Sequence, residues 1–389
     1  MRVAIFTDTF LPDVNGVAKT LGKWADYLEK NQIPCKVFAP NYNMMNMFEA
    51  EQDVLVKRFL SIPFILYPEC RLTIANPLSM NRAIDDFAPT LIHVATPFTM
   101  GLYGQRYAYS RNIPLVASYH THFDQYLSYY NIRWLENAYW KYMQWFHQDC
   151  EKVFVPSEST RQYLLERGFS DLEIWSRGID LAKFYPLVDR QAVLQECRID
   201  EDEFVILYVG RIAPEKDMDV LIETFETLPK RIRNNAHLVI AGDGPMYRGL
   251  VATNEKTLNS RITYLGFTEG AALQRWYAAA DIFLFPSPTE TFGNVILEAM
   301  ASGTPVIGAA QGGVQDIIEE GVTGLLCPAG DVQAFRAAVV KLYDDSALRA
   351  RIAQEALAYS RLKSWDSIFA QLLLHYQQIS AQDMSELVV

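Results

Sequence analysis

Short apolar runs alternate with amphipathic stretches from one end of the chain to the other, a pattern of parallel strands joined by crossover helices. In the first half these runs predict strands over 2–7, 35–39, 91–95, 115–119, 152–155 and 172–175. Between the first two, Val17, Leu21, Trp24 and Leu28 recur at helical spacing and predict a helix over 17–30. A second set of strands is expected over 204–208, 236–240, 262–265, 282–285, 306–308 and 324–327. Pro186 and the acidic run Asp200, Glu201, Asp202, Glu203 separate the two sets and place a domain boundary near 184–200. The expected class is α/β: two Rossmann-like, doubly wound parallel-sheet domains facing a cleft, with ligands beyond the strand C-termini.

Composition narrows the function. A chain of 389 residues, half of them hydrophobic and 13% aromatic, is long for one core and comfortable for two. A formal charge of −11 argues against a nucleic-acid partner, which needs a basic face to displace counterions. The charge is uneven: residues 1–185 carry 18 Lys/Arg against 19 Asp/Glu, and the remainder 17 against 27. The N-terminal half therefore meets less repulsion at an anionic membrane surface. Five scattered cysteines without a C-x-x-C or Cys/His pattern read as reduced thiols, and the first residues run into a buried strand rather than a signal peptide. With no long apolar segment, the expected setting is cytoplasmic.

The chemistry concentrates between Phe285 and Val306, where Glu290 and Glu298 flank the turn Phe292-Gly293-Asn294. Glu290 falls in a loop and Glu298 on the following helix, whose first N–H groups (Thr291 to Val295) are free to face an anion. A nucleotide sugar, anionic in the middle and hydroxyl-rich at its ends, suits that arrangement. Either glutamate alone also reads as an ordinary helix-entry acid or a solvated helix residue. Arg211 and Lys216 follow a strand-to-loop glycine, Gly210, and can converge on one diphosphate, Arg as a fork and Lys as a point charge. Gly16 sits in the first strand–helix turn, where backbone N–H groups can approach a phosphate closely. Asp217-Met218-Asp219 and Asp200-Glu201-Asp202 both spell D-x-D; the first reads as acids opening a helix, the second as part of the charged stretch, and neither as a metal site. Asp8 and Asp13 either face an acceptor or serve as caps.

The Glu290–Glu298 segment, preceded by Pro286-Ser287 and followed by Ala301-Ser302-Gly303-Thr304-Pro305-Val306, resembles the sugar-nucleotide motif of glycosyltransferase family 4. So do Gly210-Arg211…Lys216, Gly242-Asp243-Gly244-Pro245, Gly312-Gly313 and Gly321…Gly324 in the second half. The first half contributes Asp8…Pro12, Asn15-Gly16-Val17, Ser118-Tyr119-His120-Thr121-His122 and Gly178-Ile179-Asp180. The resemblance implies the GT-B fold, with a C-terminal helix crossing back to the first domain. The segment 365–379, with Ile368, Leu372 and Tyr376, fits that helix, giving domains 1–185 plus 362–389 and 186–361. It further implies a retaining, metal-independent hexosyltransferase using a GDP- or UDP-linked sugar and no cofactor. Its catalytic set would be His120, Arg211, Lys216 and Glu290. Donor binding would fall to Gly16, Gly210, Arg211, Lys216, Gly242, Asp243, Glu290, Thr291, Phe292, Gly293, Asn294, Val295 and Glu298. Glu290 is assigned to the sugar hydroxyls, Glu298 to the ribose, and His120 to the sugar near its reacting carbon. A nucleotide-sugar epimerase or a silent GT-B binder is the alternative from another class.

For the acceptor, the first half most resembles the branch of lipid-modifying mannosyltransferases and sulfoquinovosyltransferases, which points to a glycolipid rather than a soluble sugar or a polysaccharide repeat. Two aromatic-rich stretches, 58–68 and 123–145, lie near Lys57, Arg58, Arg71 and Lys141. They suit either peripheral contact with the inner membrane face or core and interdomain packing.

Overall fold

The computed structural model describes residues 1–13, 15–42, 55–63, 70–74, 76–124, 133–257 and 261–386. The chain forms two compact units, Met1–Thr121 with Trp134–Ser176 and Asp366–Val389, and His122–Arg133 with Arg177–Trp365. In the first unit the strands are β1 (Val3–Phe6), β2 (Cys35–Pro40), β3 (Val56–Phe59), the short pair β4 (Ser61–Pro63) and β5 (Arg71–Thr73), then β6 (Leu91–Val94), β7 (Leu115–Ser118), β8 (Lys152–Val155) and β9 (Leu172–Ile174). Seven of them make a parallel sheet in the order β3-β2-β1-β6-β7-β8-β9, while β4 and β5 pair antiparallel on their own. Val3 stands opposite both Cys35 and Leu91, so the order reverses beside β1.

The six predicted strands of this half are all present. β3 and the β4–β5 ribbon were not expected. β3 sets Lys57 and Arg58 between the buried Val56 and Phe59, too polar for a central strand but apt for a sheet edge, where cations discourage edge pairing. The ribbon is built inside out: Ser61 and Thr73 are buried, whereas Leu60, Ile62 and Ile74 face outward.

The helix Gly16–Lys30 begins where Asn15 caps it, its side chain accepting from the Ala18 N–H at 2.9 Å, and buries Leu21, Trp24 and Leu28. Trp24 is the anvil for the last helix, Trp365–Glu386, meeting Phe369 at 5.3 Å and Tyr376 at 5.5 Å between ring centroids. The Tyr376 hydroxyl lies 2.7 Å from His93 Nδ1, and His93 Nε2 lies 2.6 Å from Ser118 Oγ. Burial drives the His93 pKa down to about 3, so the ring is neutral, with one nitrogen donating and the other accepting. That polar chain ties the last helix to the middle of the sheet.

Asp8, just past β1, is wholly buried. It accepts from Thr96 Oγ1 (2.6 Å), Thr99 Oγ1 (2.9 Å) and the Met100 N–H (2.9 Å). The helix Thr99–Arg111 has no cap from its own preceding residue, so Asp8 caps it from the neighbouring strand. Its cap reading stands and its acceptor reading does not.

The second unit contains β10 (Phe204–Val209), β11 (Ala236–Ala241), β12 (Ile262–Gly266), β13 (Ile282–Phe285), β14 (Val306–Ala309) and β15 (Gly324–Cys327). They form one parallel sheet, β12-β11-β10-β13-β14-β15, whose order reverses between β10 and β13. Every residue of β10, β11, β13 and β14 is buried, as in a sheet covered on both faces. Among the described residues, no helix is long and apolar enough to cross a membrane.

Asp8 makes a pH prediction. Burial raises its pKa from 3.8 to about 6, so between those values the folded chain holds a proton that the unfolded chain has lost. Its contribution to stability is full below the lower value and is lost as pH rises through the upper one. Asp8→Asn removes that titration. The stability of the variant relative to wild type is expected to climb from pH 4 to pH 7, by on the order of 2–3 kcal/mol. A difference that stays flat with pH in thermal unfolding would show that Asp8 titrates alike in both states.

Candidate active site

In a doubly wound sheet the strand order reverses at one crevice, where ligands bind. In the second unit the loops after β10 and β13 flank that point, and they carry Gly210–Lys216 and Pro286–Gly293. Their backbones are packed too closely for ordinary side chains. A Cβ on Gly242, whose φ is +147°, would sit 1.9 Å from the Gly210 carbonyl oxygen. A Cβ on Gly313 would sit 2.4 Å from Phe292 Cα, and the Gly313 N–H donates to the Glu290 carbonyl at 2.7 Å. Four loops, those after β10, β11, β13 and β14, are thereby held in two pairs. The Tyr208 hydroxyl, rising from β10, braces the Arg211 carbonyl at 3.0 Å, and Thr289 Oγ1 donates to the Glu215 carbonyl at 3.0 Å.

The charges of the motif meet here. Lys216 Nζ lies 2.6 Å from Glu290 Oε1, with side chains only 13% and 19% exposed. Ser287 Oγ donates to the same oxygen at 3.0 Å. Arg211 Nη1 approaches the buried Glu215 carboxylate at 3.4 Å. Glu290 stands in the loop and Glu298 on the helix Asn294–Ala301, as the spacing predicted. Gly293, at φ +103°, is the N-cap of that helix and supplies no capping side chain, so the first turn presents its N–H groups to a ligand. Phe292 itself is buried in the core, and its backbone packs against the Gly313 turn. Exposed Asp243 closes its own turn, accepting from the Gly244 N–H at 2.7 Å. Asp217 and Asp219 open the helix Met218–Glu226; burial and the neighbouring Asp219 raise the Asp217 pKa.

Arg211, Lys216, Gly210, Gly242, Asp243 and the run Glu290–Glu298 thus belong to one unit. Gly16 and His120 belong to the other: Gly16 is the exposed first residue of its helix, and His120 follows β7, nearly buried and edge-on to Trp175 at 5.5 Å. Tyr277 and Ser287 are contacts that pattern reading missed. Ser287 is separated from Glu290 by three residues within the quoted motif, a spacing that suits a local hydroxyl–carboxylate bond. Tyr277 lies 21 residues from Glu298, and only the fold joins them.

Of the aromatic stretches, Phe64, Tyr67, Tyr126, Tyr129 and Tyr130 lie outside the described residues. Phe59 is buried and stacks on Phe38 at 6.4 Å, which removes it from any surface role. Tyr139, Trp140 and Tyr142 pack against the core, whereas Trp134 is 78% exposed. Arg58 donates to the Pro40 and Leu11 carbonyls, and Arg71 to Ser61.

Two family models match the chain, Glycosyltransferase Family 4 over residues 14–183 and Glycosyl transferases group 1 over residues 189–358. The GDP-mannose-dependent alpha-mannosyltransferase of Mycobacterium tuberculosis is 31% identical over 97% of this chain and 97% of its own. The chain is a family 4 glycosyltransferase. The Arabidopsis thaliana sulfoquinovosyl transferase SQD2 is 31% identical over 78% of this glycosyltransferase and 60% of its own length. The alpha-monoglucosyldiacylglycerol synthase of Streptococcus pneumoniae is 29% identical over 84% and 75%. In fold, a sucrose-phosphate synthase from Thermosynechococcus elongatus superposes with a TM-score of 0.80 at 23% identity, covering 98% of this chain and all of that one. The two parallel-sheet α/β units are the GT-B fold of the family.

The close loop packing has a measurable consequence for this glycosyltransferase. In Gly313→Ala the new methyl group meets backbone, not a flexible side chain, so the loops must separate. The substitution is expected to destabilise the protein by about 1–3 kcal/mol and to weaken GDP and UDP binding. A wild-type melting temperature together with wild-type nucleotide affinity would show that the loops have slack.

Proposed function

We propose that this glycosyltransferase moves a mannose- or glucose-type hexose from a GDP- or UDP-sugar to a membrane glycolipid, with retention of configuration and without a metal ion. The observation that carries this reading is the Lys216–Glu290 pair, which joins a diphosphate-binding cation to a sugar-binding carboxylate across the switch point. The bond between the sugar's anomeric carbon and the diphosphate oxygen breaks, and negative charge gathers on the departing diphosphate. Lys216, Arg211 and the N–H groups of Gly293, Asn294 and Val295 take up that charge, fixed in place beforehand. Glu290 holds the sugar hydroxyls, Glu298 the ribose, and His120 orients the sugar near its reacting carbon. The acceptor hydroxyl bonds to the anomeric carbon on the face the diphosphate leaves, and its proton passes to the departing phosphate oxygen. Asp200, Asp202, Asp217 and Asp219 have no part in this scheme.

The acceptor reading draws on the relatives, one of them named for a glucosyldiacylglycerol product, and on the β4–β5 ribbon. A ribbon with polar residues inward and Leu60, Ile62 and Ile74 outward, beside Leu78 at 75% exposure, is costly in water and favourable at a bilayer interface. Lys57 and Arg58 lie on β3 and Arg71 on the ribbon's own β5, and these cations suit anionic headgroups at the inner membrane face.

Two measurements test the reading. Lys216→Ala is expected to lower turnover by on the order of a hundredfold, while wild-type activity persists in EDTA. Inactivation by EDTA with recovery on Mn²⁺ would reject the metal-free mechanism. Separately, co-sedimentation with vesicles rich in anionic lipid is expected at low salt, falling as salt rises and in the combined Ile62→Ser, Ile74→Ser, Leu78→Ser variant. Indifference to such vesicles, with equally fast transfer to a soluble sugar, would replace the lipid acceptor by a soluble one.

A further inference from the structure

The helix Gly270–Ala279 carries Tyr277 wholly into the core of the second unit, its ring 5.6 Å from Phe283 and 5.8 Å from Phe184 between centroids. A phenylalanine would fill the same space. The hydroxyl nevertheless reaches out of this apolar setting to donate to Glu298 Oε2 at 2.9 Å, its sole hydrogen-bond partner among the described residues. Burial and the neighbouring carboxylate hold the phenol pKa well above 10, so the group stays a donor at any working pH. Glu298 projects from the helix Asn294–Ala301, and a glutamate side chain has several staggered rotamers in principle. A hydrogen bond from a rigid, buried donor selects one of them.

We propose that Tyr277 is a positioning residue for nucleotide recognition, its hydroxyl holding the Glu298 carboxylate in the orientation that meets the ribose hydroxyls. This rests on the reading of Glu298 as the ribose-binding group, and the test separates the two. GDP and UDP, and their 2′,3′-dideoxy counterparts, are titrated calorimetrically into wild type, Tyr277→Phe, Glu298→Gln and the double variant. Tyr277→Phe is expected to weaken ribonucleotide binding by about five- to tenfold, as for loss of one ordinary hydrogen bond, since the bond lost acts on the ribose only through Glu298. Dideoxynucleotide affinity and kcat at saturating GDP-mannose or UDP-glucose should stay unchanged, and Tyr277→Phe should add nothing in the Glu298→Gln background. A ribose-dependent loss in Glu298→Gln with wild-type binding in Tyr277→Phe would overturn the role of Tyr277 alone. Equal losses on ribo- and dideoxynucleotides in Tyr277→Phe would make it a packing residue. A Glu298→Gln loss that ignores the ribose would overturn the reading of Glu298 itself.

Discussion

The ion pair between Lys216 and Glu290 is the constraint around which the second unit is organised. Two opposite charges withdrawn from water are favourable only if their geometry is held, because desolvation consumes much of the Coulombic gain. The partners come from loops after different strands, so every device that fixes those loops also serves the pair. The Gly242–Gly210 contact sets one loop and the Gly313–Phe292 contact the other. Ser287 supplies a second donor to the carboxylate, and the strand order β10-β13 brings the two loops side by side. Change any one and the cost falls on a half-buried charge, which is why small residues crowd these turns.

The first unit reverses its own sheet order at the corresponding place and treats it in the opposite way. There the helix N-terminus beyond the switch point is occupied by the chain's own carboxylate, Asp8, with Thr96 and Thr99 completing its bonds. In the second unit the helix Asn294–Ala301 has a glycine at its cap, which supplies no side-chain bond to the first turn. One topology thus yields a helix N-terminus capped by a carboxylate from the neighbouring strand end and another whose cap position holds a glycine. The electrostatic difference lies in a single residue type after the first strand, aspartate in one unit and glycine followed by arginine in the other.

Both sheets were legible because their strands are continuous apolar runs, and because Trp24, Leu21 and Leu28 recur at a helical period. β3 and the β4–β5 ribbon were not, since pattern reading assumes that apolar residues face inward, and the ribbon turns Ser61 and Thr73 in instead. The position of Glu290 in a loop and of Glu298 on a helix followed from local spacing. The stretch 58–68 suits either membrane contact or core packing by its sequence, and for Phe59 register with Pro40 decides for the core, beside Phe38. What no local pattern could show is the pairing of distant groups, Lys216 with Glu290, Tyr277 with Glu298 and Asp8 with Thr96, since sequence separation hides contacts that only topology makes.

Buried hydroxyls do the same physical work at each of these places. Tyr208 donates to the Arg211 carbonyl, Ser287 donates to Glu290, and Tyr376 shares a bond with His93. An unsatisfied hydroxyl there costs about 1–3 kcal/mol, so the bond resists displacement by more than its own net strength in water. A loop held this way is pre-organised, and on the proposed reading its charges would need little rearrangement to meet a diphosphate. The aromatic ring fixes the hydroxyl and the hydroxyl fixes the loop, so rigidity passes outward from the core by one covalent side chain at a time.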